Sequence, residues 1–245
     1  MRSGNPTLTD KTFDAHPWSG QEPMTIQGTV NKTLLSLLIL VAGASITWQL
    51  ASTQPALVPV LVLVGVLGGL IVALTTVFKK EWSPLTAPLY AGLEGLALGG
   101  ISAFTEQVYP GVPMQAVGLT FATLFSLLVA YRSGLIRATE NFKLGVVAAT
   151  GGIALVYLAS FVLGFFGITI PHLHAATPIG IAISCGIVVI AALNLVLDFD
   201  FIEQGAAHRA PKYMEWYGAF GLMVTLVWLY LEILNLLMKL QGRER

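Results

Sequence analysis

Long apolar runs separated by short polar or proline-containing breaks dominate the chain, and a helix that spans a bilayer needs about 20 mostly apolar residues. Seven segments meet that pattern. They run roughly from Thr33 to Leu50, Ala56 to Phe78, Thr86 to Phe104, Val112 to Tyr131, Leu144 to Phe166, Ile179 to Leu197 and Tyr217 to Met238. The connections are too short to hold a soluble domain. The pattern therefore predicts an all-α polytopic membrane protein, with residues 33–245 as one seven-helix membrane domain. Residues 1–32, polar and carrying Pro6, Pro17 and Pro23, read as a flexible cytoplasmic tail. Met1 to Gly20 has no apolar run of the kind a secretory signal needs.

Composition sharpens this reading. Only 11% of the 245 residues are charged and 55% are apolar, against about 25% and about 45–50% in ordinary globular domains. Formal net charge is zero. With no basic cluster to neutralise phosphates, nucleic acid is excluded as a partner. Cytoplasmic loops carry the excess of Lys and Arg, and Arg2, Lys11, Lys32, Lys79, Lys80, Arg132, Arg137, Lys143, Arg209 and Lys212 share one side if the amino terminus is inside. The outer loops then hold no Lys or Arg. Lys239, Arg243 and Arg245 are the contrary residues, and an even number of spans would bring them inside as well.

Small residues let membrane helices approach closely, and Gly65 with Gly69 and Gly95 with Gly99 have that spacing. In the last segment Gly218, Gly221, Thr225 and Glu232 fall within about 60° of one another at 100° per residue. A polar stripe on an otherwise apolar helix should turn away from lipid, so the seventh helix is expected at the centre of the bundle.

The acids within apolar spans are the informative residues. A carboxylate at mid-bilayer costs at least about 2.5–3.5 kcal/mol, and such groups commonly mark an ion or proton path. Glu94 lies near the middle of the third span, Glu232 lies in the seventh, and Asp198, Asp200 and Glu203 crowd the inner end of the sixth. Each has a plainer reading. Glu94 could be a neutral carboxyl bonded to a neighbouring helix, Asp198 and Asp200 solvated acids at a helix end, and Glu232 a side chain reaching the outer interface. His172 and His174 lack the spacing of a helical zinc pair, and Cys185, flanked by Ser184 and Gly186, reads as a small packing residue. No intramembrane nucleophile motif or phosphate loop is present. An enzyme and a resident cofactor are not expected.

The stretch Leu195-Val-Leu-Asp198-Phe-Asp200-Phe-Ile202-Glu203, followed by Trp216-Tyr-Gly-Ala219-Phe-Gly-Leu222 and a final apolar helix, resembles the bacterial branch of the Bax inhibitor-1 family. The resemblance extends over all seven spans. Members typically end the sixth helix in Tyr-Asp-Thr-Gln-x-Ile, which sets Asp198 on the aspartate, Asp200 on the glutamine and Ile202 on the isoleucine. Their last helix reads Ala-Leu-x-Leu-x-Leu-Asp-x-x-Asn. A gapless match from Ala219 puts Thr225 on that aspartate and Trp228 on the asparagine. A shifted match sets Leu229-Tyr-Leu-Glu232-Ile-Leu-Asn235 on the same pattern and restores both polar residues, at the cost of about seven inserted residues.

The resemblance implies a six-helix wrapper around a central seventh helix, in a bacterial inner membrane with the amino terminus cytoplasmic. It also implies a calcium leak gated by pH through acids that share a proton. Asp198, Asp200, Glu232, Glu94 and Thr225 are then the expected ion-path or proton-sensing residues, with transient calcium at Asp198 and Asp200 and no other metal. The partners on this reading are the lipid bilayer and calcium or another cation. The alternative is a non-conducting regulator bound to another membrane protein, such as a protease or assembly factor.

Overall fold

The computed structural model describes residues 22–168 and 175–244. The expectations for residues 1–21 and for His172 and His174 fall outside these. Among the described residues the chain forms seven α-helices: α1 (Ile26–Thr53), α2 (Val58–Phe78), α3 (Ser83–Val108), α4 (Val112–Arg132), α5 (Glu140–Gly164), α6 (Pro178–Ala207) and α7 (Met214–Glu244). There is no strand among them, only an isolated antiparallel bridge between Pro23 and Pro211.

Every apolar segment of the sequence is a helix, but several are longer than the apolar run. α1 begins at Ile26 rather than Thr33 because Thr25, in extended conformation, caps it by accepting a hydrogen bond from the Gly28 amide, which satisfies one of the free N–H groups of the first turn. α6 continues past Leu197 to Ala207. Asp198, Asp200 and Glu203 are therefore inside the helix and not at its end.

Six of the seven helices are long and apolar enough to cross a membrane, and α3 is the exception. With 26 residues α3 still extends about 39 Å at 1.5 Å per residue. Its serines and threonines, with Gly95, Gly99 and Gly100, are buried against neighbours, as lipid-avoiding groups should be. Elsewhere the exposed surface is apolar: Leu38, Ile71, Phe125, Leu155 and Phe161 are all largely uncovered, the condition of side chains that face lipid tails. α7 differs from the other apolar helices. In its most apolar window 67% of residues are buried, against 39% for α6 and 6% for α5.

The helices form two compact units that interleave in sequence. Among described residues, the first comprises 22–113 with Asp200–Val227, and the second Met114–Phe199 with 228–244. In the first, α3 packs on both α1 and α2 through the expected glycines. A Cβ added to Gly95 would strike the Leu40 carbonyl oxygen, one on Gly99 the Ala44 carbonyl oxygen, and one on Gly65 would come within 2.6 Å of the Leu93 oxygen. Only glycine allows backbones this close. The start of α7 joins the same core, where Phe220 and Met223 pack on Ala87, Tyr90 and Ala91, with the Tyr90 and Phe220 rings edge to face at 5.0 Å.

In the second unit, polar bonds inside apolar helices tie α5, α6 and the end of α7 together. Asn194 of α6 donates to Thr150 Oγ1 of α5 at 2.8 Å, and Lys239 of α7 donates to Ser184 Oγ of α6 at 2.7 Å. Such bonds hold because an unsatisfied polar group in hydrocarbon costs several kcal/mol, as a rough figure. Cys185, expected to pack, instead lies exposed, in a shallow apolar groove with Ala149, Ile153 and Ile183.

Candidate functional site

The seventh helix organises the candidate site. Gly218, Thr225, Glu232 and Lys239 recur every seven residues and are all buried. A seven-residue step falls only about 20° short of two full helical turns, so the four share one face. The sequence stripe ended at Glu232, and Lys239, one more step along, belongs to it.

Glu232 is 5% exposed, so it does not reach the outer interface. Its Oε1 accepts two hydrogen bonds: from the Tyr157 hydroxyl of α5 at 2.7 Å and from Trp228 Nε1, one turn earlier on α7, at 3.1 Å. Its Oε2 is buried with no hydrogen-bond partner among the described residues. Lys239 is also buried, donating to Ser184 Oγ and to the Gly180 carbonyl at 3.4 Å. All these groups lie in the second unit. Trp228 could have been found from its i, i+4 spacing to Glu232. Tyr157 could not, because nothing in the α5 sequence marks the face that meets α7.

Asp198, in the second unit, is 3% exposed and is flanked by the buried Leu195, Val196, Leu197 and Phe199. It is not a solvated acid at a helix end. Asp200 is half-buried and Glu203 exposed, so the acidic cluster divides around the helix as its 100° step requires. Asp200 and Thr225 belong to the first unit, where Thr225 is 5% exposed. Glu94, also there, bonds Tyr90 one turn earlier and sits over Gly69 of α2, where an added Cβ would lie 2.9 Å from its Oε1. Gly69 thus makes room for a carboxyl group within the helix packing. Among the described residues no three His, Cys, Asp or Glu side chains converge to hold a metal ion.

A second polar centre, absent from the sequence reading, lies in the first unit at the start of α7. Glu215, whose side chain is fully buried, accepts from the Thr25 amide at 2.9 Å and the Thr25 hydroxyl at 2.8 Å, and pairs with Lys32 and, at 3.2 Å, with Lys212. Lys212 also reaches Glu22 at 3.4 Å, and its hydrogen bond to Glu215 holds its ammonium above the usual lysine range. Lys32 further lies 5.6 Å from the Trp216 ring centroid. The Met24 amide donates to the Ala210 carbonyl at 2.7 Å. Gly28 lies beneath, where a Cβ would overlap the Glu215 carboxylate and displace it. The segment before α1 is in this way clamped to the α6–α7 connection.

With these helices and carboxyl groups in place, the family comparison is decisive: the profile of the family described as Bax inhibitor 1 like matches residues 5–242. The chain belongs to that family. No curated protein and no solved structure matches it. In this Bax inhibitor 1 like protein the family match covers all seven helices, and with them the buried Asp198 and the α7 stripe.

Proposed function

We propose that the protein is a pH-sensitive leak for calcium or another cation in a bacterial inner membrane, with its amino terminus cytoplasmic and no catalytic activity or resident cofactor. The observation that carries this reading is Asp198, a carboxyl group 3% exposed among buried apolar neighbours in a helix long enough to cross the bilayer. Burying an acid among apolar groups is costly, and acids in membrane helices commonly exchange a proton or meet a cation. Calcium favours oxygen ligands in numbers of about 6–8. Asp198, a single buried carboxyl group, suits passing contact with a cation, as a leak requires, rather than a tight site.

Thr225 supports the second reading, a non-conducting regulator that binds another membrane protein. In the gapless register it stands where relatives carry an aspartate, and a hydroxyl offers hydrogen bonds but no charge. Purified protein in calcium-loaded liposomes, assayed at two pH values, separates the two. A leak that changes with pH supports the channel reading, and no leak at either pH supports the regulator.

A further inference from the structure

We propose that water enters the second unit along the inward face of α5 and is held there by Thr150 and Asn194, which thereby line the route a cation takes. Lys143, Thr150 and Tyr157 recur every seven residues on α5. They share one face, with a drift of only about 20° per step, and stand about 10 Å apart along the axis. Lys143 is buried and bonds Glu140 at 3.4 Å, Thr150 meets Asn194 of α6, and Tyr157 donates to Glu232 of α7. Ala148, Gly152 and Leu155, on the opposite side, are exposed. A column of polar groups thus runs inside the unit along an otherwise apolar helix.

The middle of the column is where the protein's own hydrogen bonds run out. Asn194 is 6% exposed, and its amide nitrogen donates twice, to Thr150 Oγ1 and to the Ile190 carbonyl, each at 2.8 Å. A carbonyl only accepts, so Ile190 fixes which way round the amide lies. Asn194 Oδ1 then takes no hydrogen bond among the described residues. Thr33, Thr76, Thr105 and Thr120 give their hydroxyl protons to the carbonyl four residues back, whereas the Thr150 hydroxyl donates to no group among the described residues. One unused acceptor and one unused donor therefore lie side by side, where leaving polar groups unsatisfied is costly. A water molecule satisfies both, donating to Asn194 Oδ1 and accepting from the Thr150 hydroxyl. Asp198 follows Asn194 by one turn of α6, about 40° round the helix, so the same face carries a carboxyl group next to the neutral pair. Hydration of the pair stands on these bonds alone, while its part in leak rests on the function proposed above.

Cysteine accessibility in liposomes, in a Cys185→Ala background, tests the water route without any leak. A small cationic methanethiosulfonate added to the water modifies thiols that face water and spares those that face lipid. Thr150→Cys and Asn194→Cys should react at least about tenfold faster than Leu155→Cys, because the thiolate is the reactive form and apolar surroundings suppress it. Leu155 is the lipid control, largely uncovered and about 140° round α5 from Thr150. Cysteine is close to threonine in size, so Thr150→Cys decides the matter if Asn194→Cys fails to fold. Equal, slow reaction at positions 150 and 155 overturns the inference. In the calcium-leak assay Thr150→Val, which keeps the shape and removes the hydroxyl, should slow the leak several-fold, and Thr150→Ser should restore it. A Thr150→Val protein that leaks like the wild type overturns the lining role. If Thr150→Cys is modified rapidly while the wild type shows no leak, the water site stands and the channel reading fails.

Discussion

Glu215→Gln tests the clamp that fixes the start of α7. The replacement keeps the shape of the side chain and its ability to accept from Thr25, but it removes the charge that faces Lys32 and Lys212. Lys32 retains 20% of its side-chain exposure and Glu215 none, so this is a largely buried pair. Removing one member of a fully buried pair costs about 3–5 kcal/mol. Because Lys32 can turn partly to water, the expected loss is about 2–3 kcal/mol. Glu215→Ala also strips the two Thr25 hydrogen bonds, each worth about 1 kcal/mol, for a total of about 4–5 kcal/mol. Lys212 is more exposed, and Lys212→Ala should cost less than either. Equilibrium unfolding in mixed detergent micelles reads these differences. A double-mutant cycle of Glu215→Gln with Lys32→Met should return a coupling of about 1–3 kcal/mol that raised salt reduces little, since burial limits screening. A loss under about 0.5 kcal/mol for Glu215→Gln, the size of an ordinary surface change, would refute the clamp.

Three further outcomes are expected. Gly95→Ala should destabilise by about 1–3 kcal/mol through overpacking, because its Cβ meets the Leu40 backbone, whereas Gly151→Ala, with open space around it, should be neutral or gain up to about 1 kcal/mol; equal effects in unfolding would discount the α1–α3 close approach. In a background lacking the exposed Cys185, a cysteine at Thr177 should react with an impermeant reagent in intact cells and one at Ser133 should not, and the reverse pattern would invert the topology. Thr225→Asp should add a pH-dependent step to the liposome leak if Thr225 occupies the path, and an unchanged pH profile would remove it.

The seven helices could be read from the sequence because each needs an apolar run and the breaks between them are polar. Their ends could not. The first turns of α1 contain Gln27, Asn31 and Lys32, which look like loop residues until Glu215, far along the chain, neutralises Lys32. α6 runs through Asp198 and Asp200 because the first acid is buried inward while the second turns to a more open side, and helix period alone does not say which side is interior. Glu232 stood out as an acid in an apolar span, and Lys239 shares its seven-residue stripe. Tyr157 is one of several aromatic residues on the lipid-spanning helices, and only the packing of α5 on α7 shows that it donates to Glu232.

The most direct test of the proposed cation path is the calcium leak of Asp198→Asn beside that of the wild type, in liposomes of matched protein content at acid and alkaline pH. Asparagine keeps size and hydrogen bonding while removing the ionisable group. The expected result is a wild-type leak that varies with pH and an Asp198→Asn leak that no longer does. A variant leak with the same rate and the same pH response as wild type would contradict the claim that the buried acid of α6 controls passage.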